Sequence, residues 1–360
     1  MPKSNRYGLI LAGGRGTRFW PLSRRARAKQ VLPIFGKRTL IQQTVDRLQV
    51  VLPPDRIWIL TNPLLRREIV QQLPEVPREQ ILAEPVARNT APAIGLAAEI
   101  LHRQDPQAVM AVFPSDHIIL KPARFLAFVR AAFKAAEQGR LVCLGIRPRW
   151  AETGYGYLEF PKGSAAGRLT PYPVRRFREK PDLATAKRFV AAGNFCWNAG
   201  MFFWRVAAFL DELREHLPRT AALLAGLPAF RSRRFATALA DAFPACDNIS
   251  VDFAVMEKSA NVVGLACDEV GWNDVGSWNA LYELEPKDSL GNAVRGEAIF
   301  TERASGNYVN APGKLVALAG VKDLVVVDTP DALLIAARAH AQQVGELVKL
   351  LEREGRDSLV

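Results

Sequence analysis

The chain has 360 residues, of which 49% are hydrophobic and 23% are charged. This composition is ordinary for a globular protein, and the length is sufficient for one large α/β domain plus a small one, or for two medium domains. No apolar run approaches the roughly 20 residues that a membrane-spanning helix needs, and no apolar leader precedes the first strand. We therefore expect a cytoplasmic protein without a membrane partner. The net charge of +12 favours anionic substrates, and because the basic residues are dispersed, we expect no nucleic-acid binding.

The first predicted strand covers residues 7–12, a short apolar run typical of a strand buried on both faces. Three glycines follow it, Gly13, Gly14 and Gly16. Closely spaced glycines let backbone N–H groups approach a ligand and form a concave anion site. Arg15, Arg18 and Lys29 add positive charge. The stretch predicts a loop that holds a triphosphate, although it is neither a P-loop nor a dinucleotide fingerprint.

Short apolar runs then alternate with amphipathic helical patterns. The predicted strands are 57–60, 81–83, 109–113, 141–146, 174–177, 194–204 and 262–266. The predicted helices are 39–51, 63–73, 90–101, 125–136, 181–192, 206–243 and 250–258. This alternation predicts an α/β fold with a doubly wound, mostly parallel sheet.

From about residue 286 the sequence becomes rich in turns. Short strands are predicted at 315–318, 324–327 and 331–334, and a terminal helix at 340–354. This pattern indicates a small C-terminal β module. We place the domains at 1–285 and 286–360.

Glu84 follows the third strand, and Asn89 or Thr90 can cap the helix after it. A helix N-terminus at the carboxyl edge of such a sheet is where a nucleotide would bind. The Glu84 carboxylate could accept hydrogen bonds from both N1–H and the exocyclic amine of guanine, a pair that adenine lacks. An ion pair with Arg88, four residues later, explains Glu84 equally well.

Two aspartates are candidates for a metal site. Asp116 follows the strand at 109–113, where a carboxylate would project into the ligand crevice, although it could instead cap the next turn. Asp274 could supply a second carboxylate, and Mg²⁺ prefers such oxygen ligands together with phosphate oxygens. The four cysteines (Cys143, Cys196, Cys246 and Cys267) are far apart, so we expect buried free thiols.

Together these stretches resemble the motifs of the sugar-nucleotide pyrophosphorylases, a family of nucleotidyltransferases. The matching segments are LAGGRGTR at 11–18, EPVARNTAPA at 84–93, PSDH at 114–117, TGYGY at 153–157, EKP at 179–181, NAG at 198–200 and GWNDVGSW at 271–278. Trp20, Ser23 and Lys29-Gln30 resemble the mannose-1-phosphate guanylyltransferase branch. The resemblance covers almost the whole chain.

The resemblance implies a sheet of the nucleotide-diphospho-sugar transferase type and a C-terminal module built like a short β-helix. It implies catalytic roles for Arg18 and Lys29, and Mg²⁺ binding by Asp116 and Asp274. The implied nucleotide-binding residues are Leu11, Ala12, Gly13, Gly14, Gly16, Thr17, Glu84, Asn89, Thr90 and Ser115. The implied sugar-phosphate-binding residues are Gly154, Glu179, Lys180 and Asn198. The helix at 250–258 resembles the family segment SVDxAVMEK and is interpreted as support beneath the sugar site.

The implied reaction joins GTP and mannose 1-phosphate by in-line displacement to give GDP-mannose and pyrophosphate. Two alternatives stay open. One is a sister enzyme that uses another nucleotide or sugar 1-phosphate, and the other is a regulatory subunit that binds the sugar nucleotide without turnover. A homodimer is compatible with the sequence, which does not specify an oligomeric state.

Overall fold

The computed structural model describes residues 5–360. Residues 1–4, which precede the first predicted strand and on which the expectation of no apolar leader rests, lie outside the described part. Two compact units are present. The first consists of the chain up to Gly13, Val45–Ser115 and Ile119–Trp272, and the second of Gly14–Thr44, Asp116–Ile118 and Asn273–Val360. These units are discontinuous in sequence, and the linear boundary after residue 285 stays a prediction.

The strands, in chain order, are β1 (Arg6–Leu11), β2 (Ile57–Thr61), β3 (Ile81–Ala83), β4 (Val109–Pro114), β5 (Ile118–Ile119), β6 (Leu141–Ile146), β7 (Tyr157–Glu159), β8 (Tyr172–Pro173), β9 (Arg176–Arg178), β10 (Phe195–Arg205), β11 (Val262–Cys267), β12 (Trp272–Asn273), β13 (Ala293–Phe300), β14 (Tyr308–Leu318), β15 (Leu324–Asp328) and β16 (Leu333–Ala337). The helices are α1 (Leu40–Gln49), α2 (Pro63–Gln72), α3 (Thr90–Gln104), α4 (Pro122–Ala136), α5 (Leu183–Ala192), α6 (Val206–His216), α7 (Pro218–Ala225), α8 (Phe235–Ala242), α9 (Trp278–Leu284) and α10 (Val344–Arg353).

The main sheet of the first unit runs in the order β3-β2-β1-β4-β10-β6-β11-β8. Strand β1 is parallel to β2 and β4, β2 is parallel to β3, and β6 is parallel to β11. Strand β10 is antiparallel to both of its neighbours, β4 and β6. The predicted mostly parallel sheet is therefore confirmed.

Helices cover both faces of this sheet. Neighbouring residues of β10 point to opposite faces: the ring of Phe203 lies 5.3 Å from Phe133 of α4, and Trp204 stacks on Phe209 of α6 with ring centroids 4.5 Å apart. This arrangement is the predicted doubly wound fold.

In the first unit, the expected helix at 206–243 and the expected strand at 174–177 are wrong in detail. The single helix expected at 206–243 is three helices, α6, α7 and α8, because Pro218 begins a new helix and Gly226-Leu227-Pro228 ends it. The strand expected at 174–177 is replaced by β8, which pairs with β11, and β9, which pairs with β7. The chain changes its sheet partner between them.

The second unit contains a four-stranded sheet in the order β13-β14-β15-β16. Its first three strands are parallel and only β16 is antiparallel, so consecutive strands stack as the coils of a β-helix do. Buried residues from several segments form its core, including Phe19, Trp278, Tyr308 and Val344. The terminal helix begins later than predicted, because residues 338–343 form a tighter helical turn.

All four cysteines are buried and free, as predicted. Within residues 5–360, each helix is too short or too polar to cross a bilayer.

Candidate active site

The predicted nucleotide-binding residues of the first unit lie at the carboxyl ends of parallel strands. Leu11 ends β1, Ala12 and Gly13 follow it, and Ser115 follows β4. The N–H of Ser115 donates to the Leu11 carbonyl at 3.1 Å. The Thr61 hydroxyl, at the end of β2, donates to the Ala12 carbonyl at 3.0 Å. Hydrogen bonds from β2 and β4 therefore hold the start of the glycine loop in place.

Glu84 follows β3, and its N–H donates to the Thr61 carbonyl at 2.9 Å. Its carboxyl group is half-buried, and burial raises the pKa to about 7. Within the described residues no ion pair joins Glu84 to Arg88, whose guanidinium donates to the Pro244 carbonyl instead. This geometry disfavours the ion pair between Glu84 and Arg88, so the Glu84 carboxyl group can bind a ligand.

Asn89 and Thr90 form the start of α3. Asn89 adopts a left-handed conformation with φ of 63°, and its side-chain oxygen accepts a hydrogen bond from the Thr90 N–H at 3.0 Å. The Thr90 hydroxyl accepts a hydrogen bond from the Val251 N–H at 2.9 Å. The Thr90 hydroxyl therefore stabilises the fold through one lone pair and keeps its O–H and its second lone pair for a ligand.

A second group of predicted residues, also in the first unit, surrounds Glu179. Its Oε1 lies 3.1 Å from Nζ of Lys180, whereas its Oε2 is buried without a hydrogen-bond partner among the described residues. Burial, reinforced by Asp252 and Glu257 and opposed by Lys180, raises the pKa of Glu179 to about 7. An unpartnered buried acceptor is costly, and a sugar hydroxyl is a donor that would satisfy it.

Two glycines of the TGYGY segment have different surroundings, and the role of Gly154 at the sugar site stays a prediction. Gly154 donates its N–H to Glu152 at 2.9 Å, so this group is already occupied. Gly156 instead packs directly against Glu179, where a Cβ atom would lie 2.3 Å from Oε2 and 3.2 Å from Cβ of Asn198. A side chain at position 156 would require the Glu179 carboxyl group to move, and sequence reasoning missed this glycine.

In the second unit, Gly14, Gly16, Thr17 and Arg18 form the rest of the glycine loop. Gly16 is left-handed, with φ of 63°, and a Cβ atom would lie 2.6 Å from Cβ of Lys29. Thr17 and Arg18 begin a short helical turn. Arg18 donates through Nη1 to the Gly276 carbonyl at 3.0 Å and to the Gln342 side chain at 3.1 Å. Arg18 is thus anchored beside the segment that carries Asp274.

Lys29 joins the two predicted metal-binding segments. Its buried ammonium lies 2.8 Å from Oδ2 of Asp116, and it donates to the backbone carbonyls of Asp274 at 3.0 Å and Val275 at 2.8 Å. An ammonium has three hydrogens, so these contacts use all of them. Direct contact between Lys29 and a phosphate would require one of these bonds to break.

The backbone around Asp274 turns sharply. Val275 is buried with φ of 49°, an unusual conformation for a β-branched residue, and its N–H donates to the Asn273 side chain at 2.7 Å. The turn directs consecutive carbonyl groups to Lys29. Strain of this kind accumulates at functional sites, which is consistent with a functional loop.

Asp116 remains ionised despite its environment. Burial raises the pKa of this carboxyl, but Lys29 and His117 lower it further, so that it lies below its ordinary value. The ionised Asp116 carboxylate provides oxygen donors of the kind that a hard divalent cation prefers, and the segment whose backbone accepts from Lys29 carries a second carboxyl group, that of Asp274. The residues present therefore fit a divalent metal, with phosphate oxygens completing its coordination.

Sequence reasoning also missed Asp252 and Glu257. Asp252 accepts a hydrogen bond from the Asn198 side chain at 2.8 Å, and Glu257 accepts one from the Glu179 N–H at 2.7 Å. Both residues belong to the 250–258 segment, which was interpreted only as support. The sequence signal that could have indicated their role is the pair of carboxylates, five positions apart, in this segment.

Known proteins share the sequence and the fold of this chain. Residues 7–289 match the family model described as nucleotidyl transferase, and residues 300–351 match the MannoseP isomerase/GMP-like beta-helix domain. A mannose-1-phosphate guanylyltransferase from Klebsiella pneumoniae is 40% identical over 97% of this chain and 74% of the relative. The alginate biosynthesis protein AlgA of Pseudomonas aeruginosa is 39% identical over 97% of this chain and 72% of its own length.

A crystal structure of mannose-1-phosphate geranyltransferase from Thermus thermophilus superposes with a TM-score of 0.85 at 31% identity, covering 97% of this chain and all of that one. Enzymes of the nucleotidyl transferase family use a divalent metal. The chain belongs to the nucleotidyl transferase family, as a homologue of the mannose-1-phosphate guanylyltransferases.

Proposed function

We propose that the chain is a mannose-1-phosphate guanylyltransferase, which makes GDP-mannose and pyrophosphate from GTP and α-D-mannose 1-phosphate. A phosphate oxygen of the sugar attacks the α-phosphorus of GTP as the bond from that phosphorus to the bridging oxygen breaks. Pyrophosphate leaves on the opposite side. The names of the relatives support the substrates, and the convergence of Asp116 and the 274–275 backbone on Lys29 supports the chemistry.

In this proposal the first unit recognises the base and the sugar. Glu84 accepts hydrogen bonds from guanine, while Glu179 and Asn198 bind sugar hydroxyls and Lys180 binds the sugar phosphate. The other loop and strand-end residues named above bind the nucleotide. Arg18 offsets charge on the triphosphate, and Lys29 holds the metal-binding segments in position.

We further propose that the metal is Mg²⁺, held by Asp116 and Asp274 together with phosphate oxygens. When bound, the ion would offset the negative charge that two polyanionic substrates bring together. The cytoplasmic location expected from the sequence belongs to the same proposal, and a homodimer stays a prediction.

Pyrophosphate release from a panel of nucleotides and sugar 1-phosphates tests the reaction. We expect GTP with mannose 1-phosphate to exceed every other pair by about 10²-fold or more in kcat/KM, because hydrogen-bonded sites discriminate strongly. Asp274→Asn should abolish Mg²⁺-dependent turnover. Asp211→Asn, an exposed change on α6, is the matched control and should retain full activity.

A faster reaction with another pair would support a sister enzyme. Binding of GDP-mannose without turnover would instead support a regulatory subunit. Full Mg²⁺-dependent activity of the Asp274→Asn variant would remove Asp274 from the metal site.

A further inference from the structure

The segment at 250–258 contributes directly to the geometry of the sugar-binding residues. We propose that Asp252 is a positioning residue, which holds the carboxamide of Asn198 in the one orientation that serves the sugar of the acceptor substrate. This inference rests on the proposed function and assigns Asp252 a more specific role than support of the fold.

Two opposite contacts select the orientation of the Asn198 side chain. Its Nδ2 donates to Oδ1 of Asp252 at 2.8 Å, and its Oδ1 accepts from the Gly200 N–H at 3.0 Å. A carboxylate can only accept and a backbone N–H can only donate. A rotated amide would lose both hydrogen bonds, so Asp252 and Gly200 favour the same rotamer.

The backbone brings these groups together at an irregularity in β10. The pairing of β10 with β6 shifts register between Asn198 and Phe202, and Gly200 adopts φ of 64° within this bulge. Bulges often redirect a side chain next to a functional site. Here the bulge places the Gly200 N–H against the Asn198 side chain.

With those contacts made, the Asn198 carboxamide retains one N–H and one oxygen lone pair. This combination can donate to one hydroxyl and accept from another. Gly156 packs against both Asn198 and the unpartnered Oε2 of Glu179. Asn198 and Glu179 therefore both lie beside Gly156, and the proposed function assigns both of them to sugar hydroxyls.

One helical turn supports both residues. Residues 252–256 form a π-helical turn, in which the Glu257 N–H donates to the Asp252 carbonyl at 2.9 Å. Asp252 then contacts the Asn198 side chain, and Glu257 accepts from the Glu179 N–H at 2.7 Å. Such turns are rare and recur at functional sites, because the extra residue changes which side chains converge.

Because Asp252 is charged, replacing it should also change the pH at which Glu179 titrates. The charged and titratable groups facing this cluster are Glu179, Lys180, Asp252 and Glu257, with the buried Cys143 thiol, whose pKa burial raises. After burial, Asp252 is the largest influence that raises the pKa of Glu179 to about 7. Removal of this charge should shift the titration of Glu179 to lower pH.

The experiment compares Asp252→Ala, Asp252→Asn, Asn198→Ala and the double variant Asn198→Ala/Asp252→Ala. We expect Asp252→Ala to raise KM for mannose 1-phosphate about tenfold, the effect of losing one hydrogen bond, with little change in KM for GTP. Because Asp252→Asn keeps a carbonyl acceptor, it should change this KM less than about threefold at pH 8. It should also move the midpoint of the KM–pH profile to lower pH.

The double variant should be no worse than Asn198→Ala, because Asp252 acts through Asn198. Independent, multiplicative losses would overturn the proposal, as would an unchanged KM in a folded Asp252→Ala variant. If Asp252→Ala does not fold in a thermal-unfolding assay, Asp252→Leu, which is of similar size and has no acceptor, replaces it, and an unchanged KM for mannose 1-phosphate in that folded variant overturns the proposal. Turnover by the unmodified chain tests the proposed function separately.

Discussion

At the scale of single residues, two carboxyl groups of the first unit have an unusually high pKa. Burial raises the pKa of both Glu84 and Glu179 to about 7, far above the ordinary value for glutamate. Within residues 5–360, neither carboxyl forms a strong ion pair that would keep it fully charged at neutral pH; Lys180 only partly opposes the rise in the pKa of Glu179. Substrate recognition by these residues is therefore expected to depend on pH in the physiological range.

Glu84 gives a prediction for the base site. Only the ionised carboxylate accepts two hydrogen bonds from guanine, so KM for GTP should fall about tenfold between pH 6 and pH 8, as the ionised fraction increases. Glu84→Gln should raise KM for GTP at pH 8 and flatten this dependence. Steady-state kinetics of both proteins across this range provides the measurement, and an equal pH slope in the variant would contradict the assignment.

The same raised pKa affects stability with a defined sign. A carboxyl group that takes up a proton on folding contributes less stability as pH rises from its unfolded value, near 4.5, to its folded value of about 7. Above pH 7 the Glu84 carboxyl group is ionised in the folded and the unfolded state, and its burial then lowers the free energy of unfolding. The free energy of unfolding should therefore fall less over this pH range in Glu84→Gln than in the unmodified chain.

At the scale of elements, the glycine loop depends on one left-handed position. Gly16 has φ of 63°, and a Cβ atom there would lie 2.6 Å from Cβ and 2.9 Å from the backbone nitrogen of Lys29. The loop and the start of the Lys29 turn can approach this closely only because residue 16 lacks a side chain. The orientation of Lys29 toward Asp116 depends on that approach.

Gly16→Ala should lower the free energy of unfolding by about 1–3 kcal/mol, because it combines a steric clash with an unfavourable φ. It should also reduce kcat, since Lys29 would move away from Asp116. Gly313→Ala is the matched control, because a Cβ atom at Gly313 meets no atom within 4 Å. Denaturant unfolding of the two variants tests the prediction, and equal stabilities would contradict it.

At the scale of the whole molecule, the second unit links catalytic segments to the C-terminus through one core. Phe19 of the glycine loop and Val275 of the Asp274 turn share this core with Val344 and Val348 of α10. Polar contacts strengthen the link, because Glu352 forms ion pairs with Arg15 and Arg25. The terminal helix is therefore expected to stabilise the loop that we propose binds the triphosphate.

Val348→Ala tests this link. The side chain is 4% exposed, and loss of two buried methyl groups should lower the free energy of unfolding by about 1–2 kcal/mol. KM for GTP should increase in parallel. Leu350→Ala on the same helix is the control, because Leu350 is 47% exposed. If both variants match the unmodified chain in unfolding and kinetics, α10 has no such role.

Much of the fold was predictable because its signals are local. The run at 109–113 is apolar throughout, which is typical of a parallel strand covered on both faces, and it forms β4 in the middle of the sheet. The helix at 206–243 was less predictable, because its composition is helical throughout and only Pro218 and the Gly226–Pro228 segment mark the breaks. The motifs also named most of the residues that we propose for the candidate site.

The order of residues along the chain was enough to specify the family, most of the strands and helices, and the side chains that carry charge. How those side chains are used depends on the folded chain. The Lys29 ammonium donates its hydrogens to Asp116 and to the backbone carbonyls of Asp274 and Val275, which follow it by 245 and 246 positions. Asp252 orients Asn198, which precedes it by 54 positions. Hydrogen bonds between distant residues require the folded backbone to bring the partners together, and no local pattern of residues encodes them.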